Sequence, residues 1–135
     1  MLGSVEFAED MVVADFEAGV GTLTRLSDQR VDTVVVVVEP TPKSIEVGVR
    51  AVELARERAV ARLVIVANRV RSDADLEVVR AAFPDCEVVP VPDDPKIVEA
   101  DRKGVAPIDL APDAPAVRAL IGLAENLAGL TPAAA

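Results

Sequence analysis

The chain has 135 residues, 51% hydrophobic and 27% charged, a balance that suits one globular domain and excludes a disordered segment. Fourteen Lys and Arg stand against 23 Asp and Glu, and the net charge of −9 opposes contact with a nucleic-acid backbone or an anionic membrane surface. One cysteine and no histidine exclude an intramolecular disulfide and an imidazole-based triad, and leave an ordinary zinc site without its usual ligands.

The three aromatic residues are all Phe, so the core is aliphatic and no stacking platform for single strands is available. Residues 1–9 (MLGSVEFAE) have neither the basic start nor the apolar run of a signal peptide, and no run reaches the roughly 20 residues that cross a bilayer. A cytoplasmic protein is expected.

Taken in chain order, the first strand signal is Met11–Ala14, which runs into Asp15 and a turn closed by Gly19. Thr33–Val38 (TVVVVV) follows; continuous β-branched residues mark a strand covered on both faces, and hence a parallel sheet. The next stretch has helical period: Thr41 suits the N-cap and Pro42 the first turn, and Ile45, Val49, Val52, Ala55 and Ala59 form one apolar stripe. Leu63–Ala67 (LVIVA) is a second buried strand, followed by a helix that opens on a capping pattern of Ser72 and Asp75. Glu87–Val91 is a strand that Pro90 assigns to a sheet edge. Asp94 then caps a helix that begins at Pro95 and stops at Gly104, with Glu99 and Arg102 spaced as an i, i+3 ion pair. A last helix covers about Pro115–Ala128. Strand and helix alternate throughout, so the expected class is α/β: a parallel sheet of about four strands with flanking helices, built as a single domain over residues 1–135.

In such sheets ligands bind beyond the carboxyl ends of the strands. Those ends carry Asp15, Glu39, Asn68-Arg69 and Pro92-Asp93, so polar and turn-forming residues gather on one rim. Cys86 reads as a small packed residue rather than a reactive thiol.

Three of these stretches, DMVVADFEAG, LVIVANRV and VPVPDDPKIVEADRKGVAPI, carry a resemblance. The first is similar to the Asp-x-x-Ala-Gly nucleotide motif of MinD/ParA-type ATPases, and its Glu17 is nearest to the CooC type. The second is similar to that family's strand ending in Asn-Arg or Asn-Lys, and the third to its Pro-x-Asp-Pro segment after the last strand. The resemblance runs from about Asp10 to Leu127 and corresponds to the C-terminal half of the P-loop nucleotide-binding domain. It implies ATP and Mg²⁺ as ligands. Asp15 would meet Mg²⁺ through water, and Gly19 would approach a γ-phosphate. Asn68, Pro92 and Asp93 would surround the adenine. Glu17 reads as an exposed loop carboxylate.

The family's Gly-rich lysine loop, which cradles the phosphates, has no counterpart: no Gly-x-x-x-x-Gly-Lys-Ser/Thr can be drawn. No residue is assigned a catalytic role, and the chain alone is expected to be inactive. In the family the strand that leads into that loop lies between those matching Met11–Ala14 and Thr33–Val38, so a homo-oligomer or a separate loop-bearing chain is expected to fill the gap. The competing readings are a stand-alone α/β protein-interaction module without nucleotide, and an unrelated flavodoxin-like or receiver-like domain.

Overall fold

The structure, a computed structural model, describes residues 11–16 and 31–129. Three strands pair in parallel in the order β1 (Thr33–Val38), β2 (Arg62–Val70) and β3 (Glu87–Pro92). The helices are α1 (Pro42–Glu57), α2 (Asp73–Ala82), α3 (Pro95–Lys103), α4 (Pro107–Leu110) and α5 (Pro115–Leu127). The expected α/β class is present, with helices on both faces of the sheet.

One of the expected strands is not formed. Met11–Ala14 is exposed and lies outside the sheet. Four residues make too short a ladder to hold themselves, and a strand persists only when a neighbour takes its N–H and C=O groups. The other three strands agree closely with their sequence signals, β2 being longer at both ends so that Asn68 and Arg69 lie within it.

The alternation of side chains along β1 and β2 divides the core. On one face Val36, Val38, Ile65 and Ala67 pack with Val52 of α1 and with Val79 and Phe83 at the end of α2. On the other, Val66 and Val91 pack with Ala116, Ile97, Ala119 and Leu123 of α3 and α5. That second layer sits over the β2–β3 side; α5 packs mainly on β3, whereas α1 packs on β1. Val35 and Val37, on the second face of β1, are therefore 37% and 60% exposed.

Local signals position the helices. Thr41 accepts from the Ser44 N–H at 3.4 Å, and Ser44 Oγ accepts from the Glu39 N–H at 2.9 Å, fixing the turn from β1 into α1. Ser72 accepts from the Asp75 N–H at 3.2 Å, while the Asp75 carboxylate reaches the Arg71 N–H at 2.8 Å, one residue before the ordinary partner in a capping box. α1 ends at Glu57, so Ala59 leaves the helical stripe and turns the chain with φ 54°. Gly104, at φ 64°, ends α3 as its position predicts.

Asp94 does more than the expected cap. Its carboxylate accepts from Lys96 N–H at 2.9 Å, opening α3, and from Ala116 N–H at 3.1 Å, in the first turn of α5. It is 8% exposed, and α5 has no side-chain cap of its own at Ala114. One buried carboxylate thus faces the amino ends of two helices, where unpaired N–H groups and the helix dipoles both favour negative charge.

Three substitutions test this packing by denaturant unfolding. A methyl group at Gly48 would collide with Val38 and approach Phe83 at 3.1 Å, so Gly48→Ala is expected to destabilise by about 1–3 kcal/mol. Ala59→Gly relieves left-handed strain at an exposed position and should stabilise by about 1 kcal/mol. Asp94→Ala leaves two helix starts short of an acceptor and should cost about 2–4 kcal/mol, with Asp94→Asn losing less.

Candidate nucleotide site

The carboxyl ends of β2 and β3 lie side by side, with Val70 opposite Pro92, and the ladder slips in register between Ala67 and Val70. The slip coincides with Arg69, whose φ of 57° is a left-handed conformation that a long side chain rarely adopts. This bulge re-aims Arg69 toward two neighbours: its guanidinium lies 3.4 Å from Glu39, beyond β1, and 3.6 Å from Asp93, beyond β3. Arg71 closes the same group, with Nε 2.8 Å from Asp93. A side-chain hydrogen bond from Arg71 is the main cause that holds the Asp93 carboxyl below the usual carboxylate range; partial burial opposes it, and the charges of Arg71 and Arg69 add to it. All four side chains are substantially solvated, so the network aligns the rim more than it stabilises the fold.

Beside this network a cleft of about 550 Å³ opens between the end of β2 and the first turns of α3, lined by Arg69, Asp93, Asp94, Pro95, Val98 and others of α3. Pro95 and Val98 give it an apolar wall, and the carboxylates and Arg69 give it a polar rim. Glu99 and Arg102 complete the lining, yet they do not pair as their spacing suggests. Glu99 instead takes Lys103 and Lys96, each at 2.7 Å. Hydrogen bonds first from Lys103 and then from Lys96 lower its carboxyl to about 2. The two lysines stand one helical turn on either side and reach Glu99 along the helix surface, which leaves Arg102 with no carboxylate partner among the described residues.

Of the residues expected to bind nucleotide, Asp93 lines the cleft, and Asn68 and Pro92 are half-buried on the strand ends next to the lining residues Arg69 and Asp93. Asp15 is on the exposed segment off the sheet, and Gly19 and Glu17 lie outside the described residues. Sequence reasoning missed the part played by Arg69 and Arg71. Their i, i+2 spacing was a signal that both could serve one side of a strand, but the bulge that turns Arg69 depends on how β3 meets β2.

The cleft combines a short apolar wall with charged side chains of both signs, a make-up that can take a small polar ligand. Among the described residues no glycine-rich turn presents successive N–H groups, and no cluster of three or more acidic, Cys or His side chains could hold a metal ion. No helix among the described residues is long and apolar enough to cross a membrane.

No family model matches the chain. It is 28% identical over 105 residues to the carbon monoxide dehydrogenase accessory protein CooC of Rhodospirillum rubrum, covering 77% of this chain and 40% of that protein. It is 26% identical over 132 residues to an uncharacterised ATP-binding protein of Methanocaldococcus jannaschii, covering 96% of this chain and 50% of that one. The chain thus spans half or less of the length of these curated relatives. Among solved structures, MinD of Pyrococcus horikoshii in complex with Mg-ADP superposes with a TM-score of 0.62 at 24% identity, over 76% of this chain and 45% of that one. That likeness concerns the fold, and it places the parallel sheet and its helices in the P-loop NTPase architecture. Over the part of their length that they share, the chain is related to the CooC/MinD-like P-loop ATPases.

Proposed function

We propose that this chain is the base-binding half of a CooC/MinD-like ATP site, a single domain over residues 1–135 equivalent to the C-terminal half of such a nucleotide-binding domain. The observation that carries the reading is the cleft beside Arg69 and Asp93, at the carboxyl ends of two parallel strands. In this reading adenine enters against Pro95 and Val98, with Asn68, Pro92 and Asp93 at its edge. Asp15 and Gly19 belong to the phosphate end, where Asp15 would hold Mg²⁺ through water. ATP with Mg²⁺ is the ligand of the completed site.

Phosphoryl transfer depends on positioning and charge stabilisation, which in P-loop enzymes come largely from the phosphate loop and its lysine. The 135 residues contain no such loop. The chain alone is therefore inactive; its assembly is a homo-oligomer or a complex with a separate chain, and only a chain bearing the loop completes the phosphate end of the site. The protein works in the cytoplasm, without nucleic acid or membrane. The exposed valines of β1 favour the competing reading, in which the chain serves through protein contacts alone, without nucleotide.

Titration calorimetry of the pure chain with adenosine, ADP and Mg-ADP tests the proposal. Adenosine and ADP should bind within a few-fold of each other, with Kd about 1 mM, and Mg²⁺ should change neither. Asp93→Ala should weaken adenosine about tenfold. Steady Mg²⁺-dependent phosphate release by the chain alone, or ADP binding a hundredfold tighter than adenosine, would refute it.

A further inference from the structure

The two edges of the sheet differ in chemistry. β3 carries Pro90 and Pro92, which remove two N–H donors and blunt that side. β1 reads TVVVVV, with no proline, lysine or bulge, and among the described residues only β2 pairs with it. Its second face adds Val35 and Val37, both exposed in the surface that the described residues form. An edge of this kind exposes a row of backbone donors and acceptors beside apolar side chains, and it attracts a further strand.

The same chain presents a candidate strand. Met11, Val12 and Val13 are 61%, 45% and 84% exposed, and none of them pairs in the sheet. Met11–Ala14 is apolar throughout, and Asp15 ends the run, so a charged residue falls outside any ladder it joins. Among the described residues both halves of a strand pair are thus displayed at once by one molecule, and neither is paired with the other.

We propose that the occupant of the β1 edge is the Met11–Ala14 segment of a second copy of this chain, given and received reciprocally across a two-fold axis. Reciprocity matters energetically. A four-residue strand docked once is marginal, whereas a closed exchange forms two such pairs and covers Val35, Val37, Met11 and Val13 on both copies. It leaves no free copy of either half, so assembly stops at the dimer. Each chain carries a net charge of −9, so the copies repel each other and salt should strengthen the association. The inference needs no nucleotide and stands apart from the reading of the cleft.

Light scattering coupled to gel filtration, run on the full chain without nucleotide, is the test, with hydrogen exchange on the same samples. The expected result is a dimer whose fraction rises with salt and in which the amides of Met11–Ala14 and Val35–Val37 are protected together. Val13→Lys and Val37→Lys should each weaken dimerisation at least about tenfold, roughly 1.4 kcal/mol. Both sites are exposed, so circular dichroism should stay unchanged. Because each variant retains the half that the other lacks, mixing them should restore part of the association. A compact monomer at every concentration would overturn the proposal. So would a dimer that survives Val13→Lys, which would point to direct pairing of two β1 edges, or one that dissociates as salt rises, as an ion-paired interface would. Adenosine titration of the monomeric variants keeps this outcome separate from that of the cleft.

Discussion

Asp94 holds together parts of the chain that share little else. Two helices begin within reach of its carboxylate, one directly after β3 and the other after a separate short helix, and each supplies an N–H group to it. A buried carboxylate is costly unless its lone pairs are taken, and helix amino ends offer both donors and a favourable dipole. By tying α5 to the start of α3, the contact sets the helix layer on the second face of the sheet. The same residue lines the cleft, so the packing of that layer and the shape of the candidate site share one cause.

The layer's position then explains what is left uncovered. α5 leans on β3 and the core beneath it ends near β2, while α1 and α2 cover the opposite face. Half of β1 is therefore a core strand and half is a surface. Val36 and Val38 are buried, and Val35 and Val37, one residue away in each case, are not. A strand two residues in period can serve two environments at once, and β1 does so with a single amino acid.

The site is similarly divided. Its described part gathers the ends of β2 and β3, where a bulge and a left-handed arginine bring three strand ends into one ion-paired rim. The charges there are solvated, so their use lies in orientation and in shaping what may enter. The uncharacterised ATP-binding relative extends well beyond the region it shares with this chain, which spans 50% of its length.

Much of this was legible in the residues alone. Val-rich runs at Thr33–Val38 and Leu63–Ala67 specify buried parallel strands, and Thr41, Ser72, Asp94 and Gly104 mark helix ends, because burial pattern and capping depend on near neighbours in the chain. The rim residues Asn68, Pro92 and Asp93 were legible for the same reason, since they follow strands. What the sequence could not reveal was anything settled between distant segments: that Met11–Ala14 would lie outside the described sheet, that Glu99 would choose two lysines over Arg102, that Arg69 would turn through a bulge, and that Asp94 would serve a second helix 22 residues on. Local preference is written residue by residue, whereas which strand edge is filled and which donor reaches a buried carboxylate are decided only when the layers close upon one another.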